Sequence, residues 1–214
     1  MVLAGVFGTF LLLVLIFGDW YQFTSLQSWA SRYGFGIARR QDRLETFPSK
    51  GISHQFNSQG LLQLPHGVAR FFQDQQLIVI RPYYQLFSMR FRTAWPLKGT
   101  IEIKQEGQQL LLELVKRLPW TSALITMLWL ALVAVGTLLF VGMFGLDGGF
   151  QSFGGILLGL GIFALGVLVL VFGLVLLSLA YRLEDHRLMK VYQELQEALL
   201  ASLEQEGEGR TPKE

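Results

Sequence analysis

The sequence predicts a membrane protein of the α+β class. It has three transmembrane helices, a small antiparallel β-rich cytoplasmic domain inserted between helices 1 and 2, and a C-terminal amphipathic helix. Two observations carry this reading. Three apolar runs, Val2 to Gly18, Trp120 to Gly145 and Gly154 to Tyr181, contain no Lys or Arg, and all eighteen basic residues fall into two blocks, Arg32 to Arg117 and Arg182 to Lys213. Each run is at or near the roughly 20 residues needed to cross a hydrocarbon core about 30 Å thick.

Residues 1–18 form the first expected span. The segment lacks a basic leader and a small-x-small cleavage site, because Phe17-Gly18-Asp19-Trp20 runs straight into bulky residues. It therefore reads as a retained anchor and not as a cleaved signal peptide. Residues 19–33 follow as an interfacial amphipathic segment. Phe23, Leu26, Trp29 or Ala30, and Tyr33 recur at helical spacing, with Trp20 and Tyr21 placed as an aromatic belt would be.

From 34 to 118 the pattern changes to short runs of β-formers ended by turn residues, as in Gln76 to Ile80 before Arg81-Pro82 and Ser88 to Thr93 before Pro96. Thr100 to Lys104 and Gln109 to Val115 flank Glu106-Gly107 and predict a hairpin. Some 80 residues suffice for a modest core of about five to seven strands, and not for a large enzyme domain.

The second span is expected over 119–145 and the third over 154–181, joined by an external loop at 146–153 whose one charge is Asp147. Residues 182–204 form a cytoplasmic amphipathic helix with Leu188, Val191 or Tyr192, Leu195, Leu199 and Leu203 on one face, and 205–214 a disordered tail. Basic residues beside short loops favour the inner side. This orients the chain with its N-terminus outside and its C-terminus in the cytoplasm of a bacterial inner membrane.

Charge and composition exclude several functions. Residues 19–118 carry thirteen basic against seven acidic residues, and the segment from Arg182 five against eight. A basic middle domain fits an anionic leaflet, and no basic run is dense enough for a nucleic-acid partner. With no cysteine there is no disulfide, thiolate cluster or thiol nucleophile. His54, His66 and His186 all lie outside the apolar runs, which themselves carry no charged residue, so neither intramembrane haem ligation nor a proton relay is expected. No catalytic motif surrounds the histidines, and neither metal nor cofactor is expected.

Three surfaces are candidates for function. In the third span Ser152, Gly159, Gly166, Gly173 and Ala180 repeat every seven residues, with Gly155 four before Gly159. That is a smooth groove for close helix approach, to be filled by a partner or by the second span. The stripe Leu188, Leu195, Leu199 and Leu203 needs something to bury against: the β-domain, a partner helix or the membrane surface. Arg39, Arg40 and Arg43 form a cluster that could meet anionic lipid headgroups, or else a solvated loop.

The expected role is a non-catalytic accessory or scaffold subunit of a larger membrane complex, docking to other subunits by the glycine face and the leucine stripe. The alternative is a membrane-anchored regulatory or lipid-sensing module with a ligand-binding β-domain. A small membrane enzyme using His54 or His66 is a third.

Overall fold

The computed structural model describes residues 2–45, 52–83, 93–106 and 109–208. In chain order the elements are α1 (Val2–Thr24), β1 (Phe35–Glu45), β2 (Leu61–Leu64), β3 (Gly67–Phe72), β4 (Leu77–Pro82), β5 (Lys98–Glu106), β6 (Gln109–Leu118), α2 (Trp120–Leu146) and α3 (Phe153–Glu208). Three of them, α1, α2 and α3, contain stretches long and apolar enough to cross a membrane. Contacts group the chain into two units: Met1–Thr121 with Leu183–Glu214, and Ser122–Arg182.

The first unit is built on a six-stranded antiparallel sheet in the order β1-β6-β5-β4-β3-β2. Strands β2 to β6 follow one another as a meander, and β1 returns to pair with β6 along the far edge. The expected hairpin is β5–β6, with Thr100 opposite Val115 and Lys104 opposite Leu111; its turn at Gly107 lies outside the described residues.

Register sorts the side chains onto two faces, because successive strand residues point to opposite sides. One face is apolar: Ala69 aligns with Ile80, Ile78 with Ile101, Ile101 with Leu114 and Ile103 with Leu112. Against it lies α3 from Leu183 onward, whose Leu188, Val191, Tyr192, Leu195 and Leu199 have no exposed surface. Polar bonds ring this contact. Tyr192 Oη donates to Asp42 at 2.9 Å, Lys116 pairs with Asp185, and Glu194 accepts from the His66 backbone N–H at 3.0 Å while also meeting its ring. Burial, reinforced by the bond to Asp42, holds the Tyr192 phenol well above its ordinary range. At the centre of the seat, Gly67 leaves room for Val191, whose methyl groups would lie 2.6 and 2.8 Å from a Cβ there.

The leucine stripe therefore has an intramolecular partner. Leu188, Leu195 and Leu199 are spent on the sheet, the first of the three destinations open from sequence; the side chain of Leu203 lies outside the described residues. Burying five large side chains at about 1.5–3 kcal/mol each is the main force fixing this part of α3.

The second unit is the hairpin of α2 from Ser122 and α3 to Arg182, joined through a short turn at Gly149–Gln151. Its seam follows the glycine repeat. A Cβ at Gly166 would overlap Thr137, one at Gly173 would stand 2.5 Å from the Trp129 ring, and those at Gly155 and Gly159 would overlap Gly149 and Phe150. Phe150 also meets Phe144 edge to face at 5.4 Å. The groove is thus occupied within the chain by the second apolar helix and the turn, while the outward Leu, Val and Phe side chains stay exposed.

Two boundaries differ from expectation. α1 continues past Gly18 to Thr24, since Trp20 to Phe23 extend its apolar character, and one 3-10 turn at Ser28–Ala30 takes the place of a separate interfacial helix. α3 is one uninterrupted helix from the third apolar run through Glu208. The strand expected over Ser88 to Thr93 falls almost entirely outside the described residues.

Candidate functional site

The second face of the sheet is cationic at the end where α1 stops and α2 begins. Lys98 stands directly opposite Arg117, and Arg81 follows Ile80, which pairs with the Gly99 neighbouring Lys98. Arg70 joins the same face, because it pairs with Val79 and Val79 with Thr100.

Over these side chains passes the connector from Ser25 to Gly34. It has no strand partner, so its buried carbonyls need donors from elsewhere. The sheet provides them. Arg81 donates to the Thr24 carbonyl, Arg70 to Leu26 at 2.9 Å, Lys98 to Ala30 at 2.8 Å, Thr100 to Ser31 at 2.9 Å and Arg117 to Gly34 at 3.1 Å. Arg81 also places positive charge at the C-terminal end of α1, where the helix dipole favours it. At Gly34 the backbone takes φ +111°, and a Cβ would stand 2.8 Å from the Leu118 carbonyl, so a residue without a side chain closes the connector.

Lys98 is the most constrained member of this set. It has no exposed surface, sits 4.8 Å above the Phe23 ring and lies between two guanidinium groups. Burial first, and then repulsion from Arg117 and Arg81, push its ammonium down to about 7. Burial lowers Arg117 as well. Among the described residues, no carboxylate forms an ion pair with Arg70, Lys98 or Arg117.

Beside this row, Asp19 is buried and fully used. Its carboxylate accepts from Tyr33 Oη at 2.5 Å and from Thr121 N and Oγ1 at 3.0 and 2.6 Å, which puts a negative charge at the first turn of α2. Burial, with help from this hydrogen bond, raises the Tyr33 phenol to about 12. Phe35 and Trp120 pack edge to face at 5.4 Å and close the same corner.

A cavity of about 390 Å³ opens next to Arg70, between the Ser53–Gly60 segment, the β3–β4 connection and Ser28. Phe56 and Phe71, whose rings lie 5.4 Å apart, are among its lining residues. The walls carry hydroxyl and amide groups, and Arg70 and Asp74 are the two charged residues among them. The wall is locally fixed: Asn57 Oδ1 accepts from the Gln59 and Leu61 N–H groups, and Phe71 N–H donates to the Gly60 carbonyl at 2.7 Å. Arg70 crosses the Phe72 ring at 5.3 Å, and its Nε is buried with no hydrogen-bond partner.

The sequence-expected sites are redistributed. Strand alternation sets Arg40 on the face opposite Arg39 and Arg43. Arg39 pairs with Glu113 at 3.3 Å on the polar face, alongside the Lys104–Glu113 pair, while Arg40 points the other way and pairs with Asp42 at 2.9 Å. The Asp42 bond holds the Arg40 guanidinium above its ordinary value. His66 meets Glu194, the side chain of His54 lies outside the described residues, and His186 joins neither. No group of three or more His, Asp or Glu among the described residues could hold a metal ion.

Sequence reading passed over Asp19, Arg70, Lys98 and Arg117. Each is one charge in an alternating strand or at a helix end; only the register of four strands puts the cations side by side. Comparison with family models, curated proteins and solved structures finds no match for this chain.

Proposed function

We propose that this protein is a non-catalytic, membrane-anchored module whose working part is the six-stranded domain, a ligand-responsive unit held at the inner face of a bacterial membrane by α1, α2 and α3. The observation that carries this reading is the cavity beside Arg70, a concavity of about 390 Å³ lined by hydroxyl, amide and charged groups. It lies where cations of the sheet grip the connector leaving α1. Occupancy of the cavity would bear directly on that connector, because Ser28 lines the one and belongs to the other. The two surfaces expected to recruit other subunits speak less strongly, since the glycine face and the leucine stripe are engaged within the chain.

The test is hydrogen exchange on the full chain in lipid nanodiscs, with and without an extract of native lipids and metabolites. Protection is expected at Leu26 to Ser31 and at Arg70 to Gln75. Unchanged exchange throughout the domain would refute a ligand-responsive role. Topology is open to a separate test, because the chain has no cysteine. Single cysteines at Asp147 and at Gln196 should react with an impermeant maleimide from opposite sides.

The accessory-subunit reading retains one specific support. β1 is an edge strand of eleven residues bonded on one side to β6, and such an edge can add a strand from a neighbour. Native mass after mild-detergent extraction discriminates the two: a stoichiometric companion favours the subunit, and a lone chain favours the module.

A further inference from the structure

We propose that the connector between α1 and β1 is a proton-responsive latch, which lies closed on the sheet while Lys98 is a neutral amine and loosens when Lys98 takes up a proton. This goes beyond the ligand-responsive reading and needs no occupant of the cavity.

The latch is built from one kind of contact. Arg81, Arg70, Lys98 and Arg117 each donate to a carbonyl between Thr24 and Gly34, and Thr100 adds a hydroxyl bond to Ser31. Three of the four cations are guanidinium groups, which are not deprotonated in proteins. Lys98 is the member that can lose its charge. An ammonium brings three N–H donors, yet Lys98, with no exposed surface, has one acceptor among the described residues, the Ala30 carbonyl at 2.8 Å. The Phe23 ring, 4.8 Å away, is a weaker seat for the charge. A neutral amine keeps the bond to Ala30 and removes the cost of a buried charge.

The charged neighbours widen this difference. Arg117 stands directly opposite on β6, Arg81 lies on β4 and Arg70 beyond it on β3. The carboxylates around the connector are committed elsewhere: Asp19 on α1 accepts from Tyr33 and Thr121, and Glu102, four residues further along β5, pairs with Arg32 of the connector at 3.0 Å. Burial, and then Arg117 and Arg81, hold the Lys98 ammonium down to about 7 while the connector is closed, and lifting the connector returns it toward the 10.5 of a free lysine. The closed form therefore binds fewer protons than the open form, and acid favours opening. With full exposure on opening, the ratio of open to closed rises about tenfold from about pH 8 to about pH 6 and flattens below that. The result is a link between α1 and the sheet that slackens as the compartment around the sheet acidifies.

The experiment uses the full chain in phosphatidylcholine nanodiscs. Because the sequence has no cysteine, Gln27→Cys places a single nitroxide on the exposed side of the connector, and Gln41→Cys, in a separate sample, places one on β1. Electron paramagnetic resonance from about pH 9 down to about pH 6 reads the mobile fraction of each label. At Gln27 the ratio of mobile to immobile label should rise severalfold as pH falls; at Gln41 it should stay constant. Lys98→Met cannot titrate, so in that background the Gln27 label should show no dependence on pH. Arg32→Gln removes an exposed charge from the same connector and should leave the trend in place. A rise of the same size at Gln41 would mean that the whole domain loosens in acid, and a rise that survives in Lys98→Met would put the titrating group elsewhere; either overturns the proposal. So would a Gln27 label whose mobility does not change with pH in the parent chain, a comparison that stands even when Lys98→Met fails to fold.

Discussion

Replacing Lys98 by methionine tests the balance at the base of the sheet most directly. The native ammonium titrates at about 7 against 10.5 for a free lysine, so the folded chain binds fewer protons than the unfolded chain between those values. Stability therefore rises with pH across that window, and the penalty for the buried charge is fully present below about pH 7. The whole displacement from 10.5 to about 7 corresponds to about 5 kcal/mol, and the portion between about pH 6 and about pH 8.5 to roughly 2 kcal/mol. Methionine fills similar space and removes the titration, but it takes one of two donors from the Ala30 carbonyl, which keeps the Tyr33 N–H at 3.1 Å, a loss of about 0.5–1.5 kcal/mol. Lys98→Met should accordingly match or exceed the parent in stability near pH 6, fall below it near pH 9, and lose the slope between them. Urea unfolding of the first unit in mild detergent, followed by tryptophan fluorescence over that pH range, measures this. A variant with the parent's slope would show that Lys98 is not the titrating group and that its burial carries no such cost.

Asp19→Asn should destabilise the junction of α1 and α2 by about 1.5–3 kcal/mol, because a charged acceptor of three hydrogen bonds becomes a neutral one; limited proteolysis of the Ser25 to Tyr33 connector reads the loss. Gly166→Leu combined with Gly173→Leu should drive apart the seam of the hairpin at Thr137 and Trp129 and lower thermal stability even when the chain is purified alone. Unchanged stability of the isolated double variant would mean that the groove is not filled from within.

Local pattern was enough for much of the architecture. The three apolar runs, the strand at Leu77 to Ile80, the β5–β6 hairpin and the amphipathic stripe after Arg182 are each written in neighbouring residues, because period 2 and period 3.6 are local properties of a strand and a helix. The sequence by itself also determined the absence of thiol chemistry and the position of every charge outside the apolar runs. Destinations were not local. Leu188, Leu195 and Leu199 look the same in sequence whether they meet a partner or the chain's own sheet, and Gly166 does not say which helix fills its groove. Arg39, Arg40 and Arg43 read as one cluster in a line of text, but a pleated strand separates neighbours onto opposite faces. Conversely Arg70, Arg81, Lys98 and Arg117 span nearly fifty residues and become one surface only through the pairing of β3, β4, β5 and β6. Tertiary structure decided these points, since register and burial depend on contacts between segments far apart in the chain, and those contacts set which polar groups are desolvated and which keep a partner.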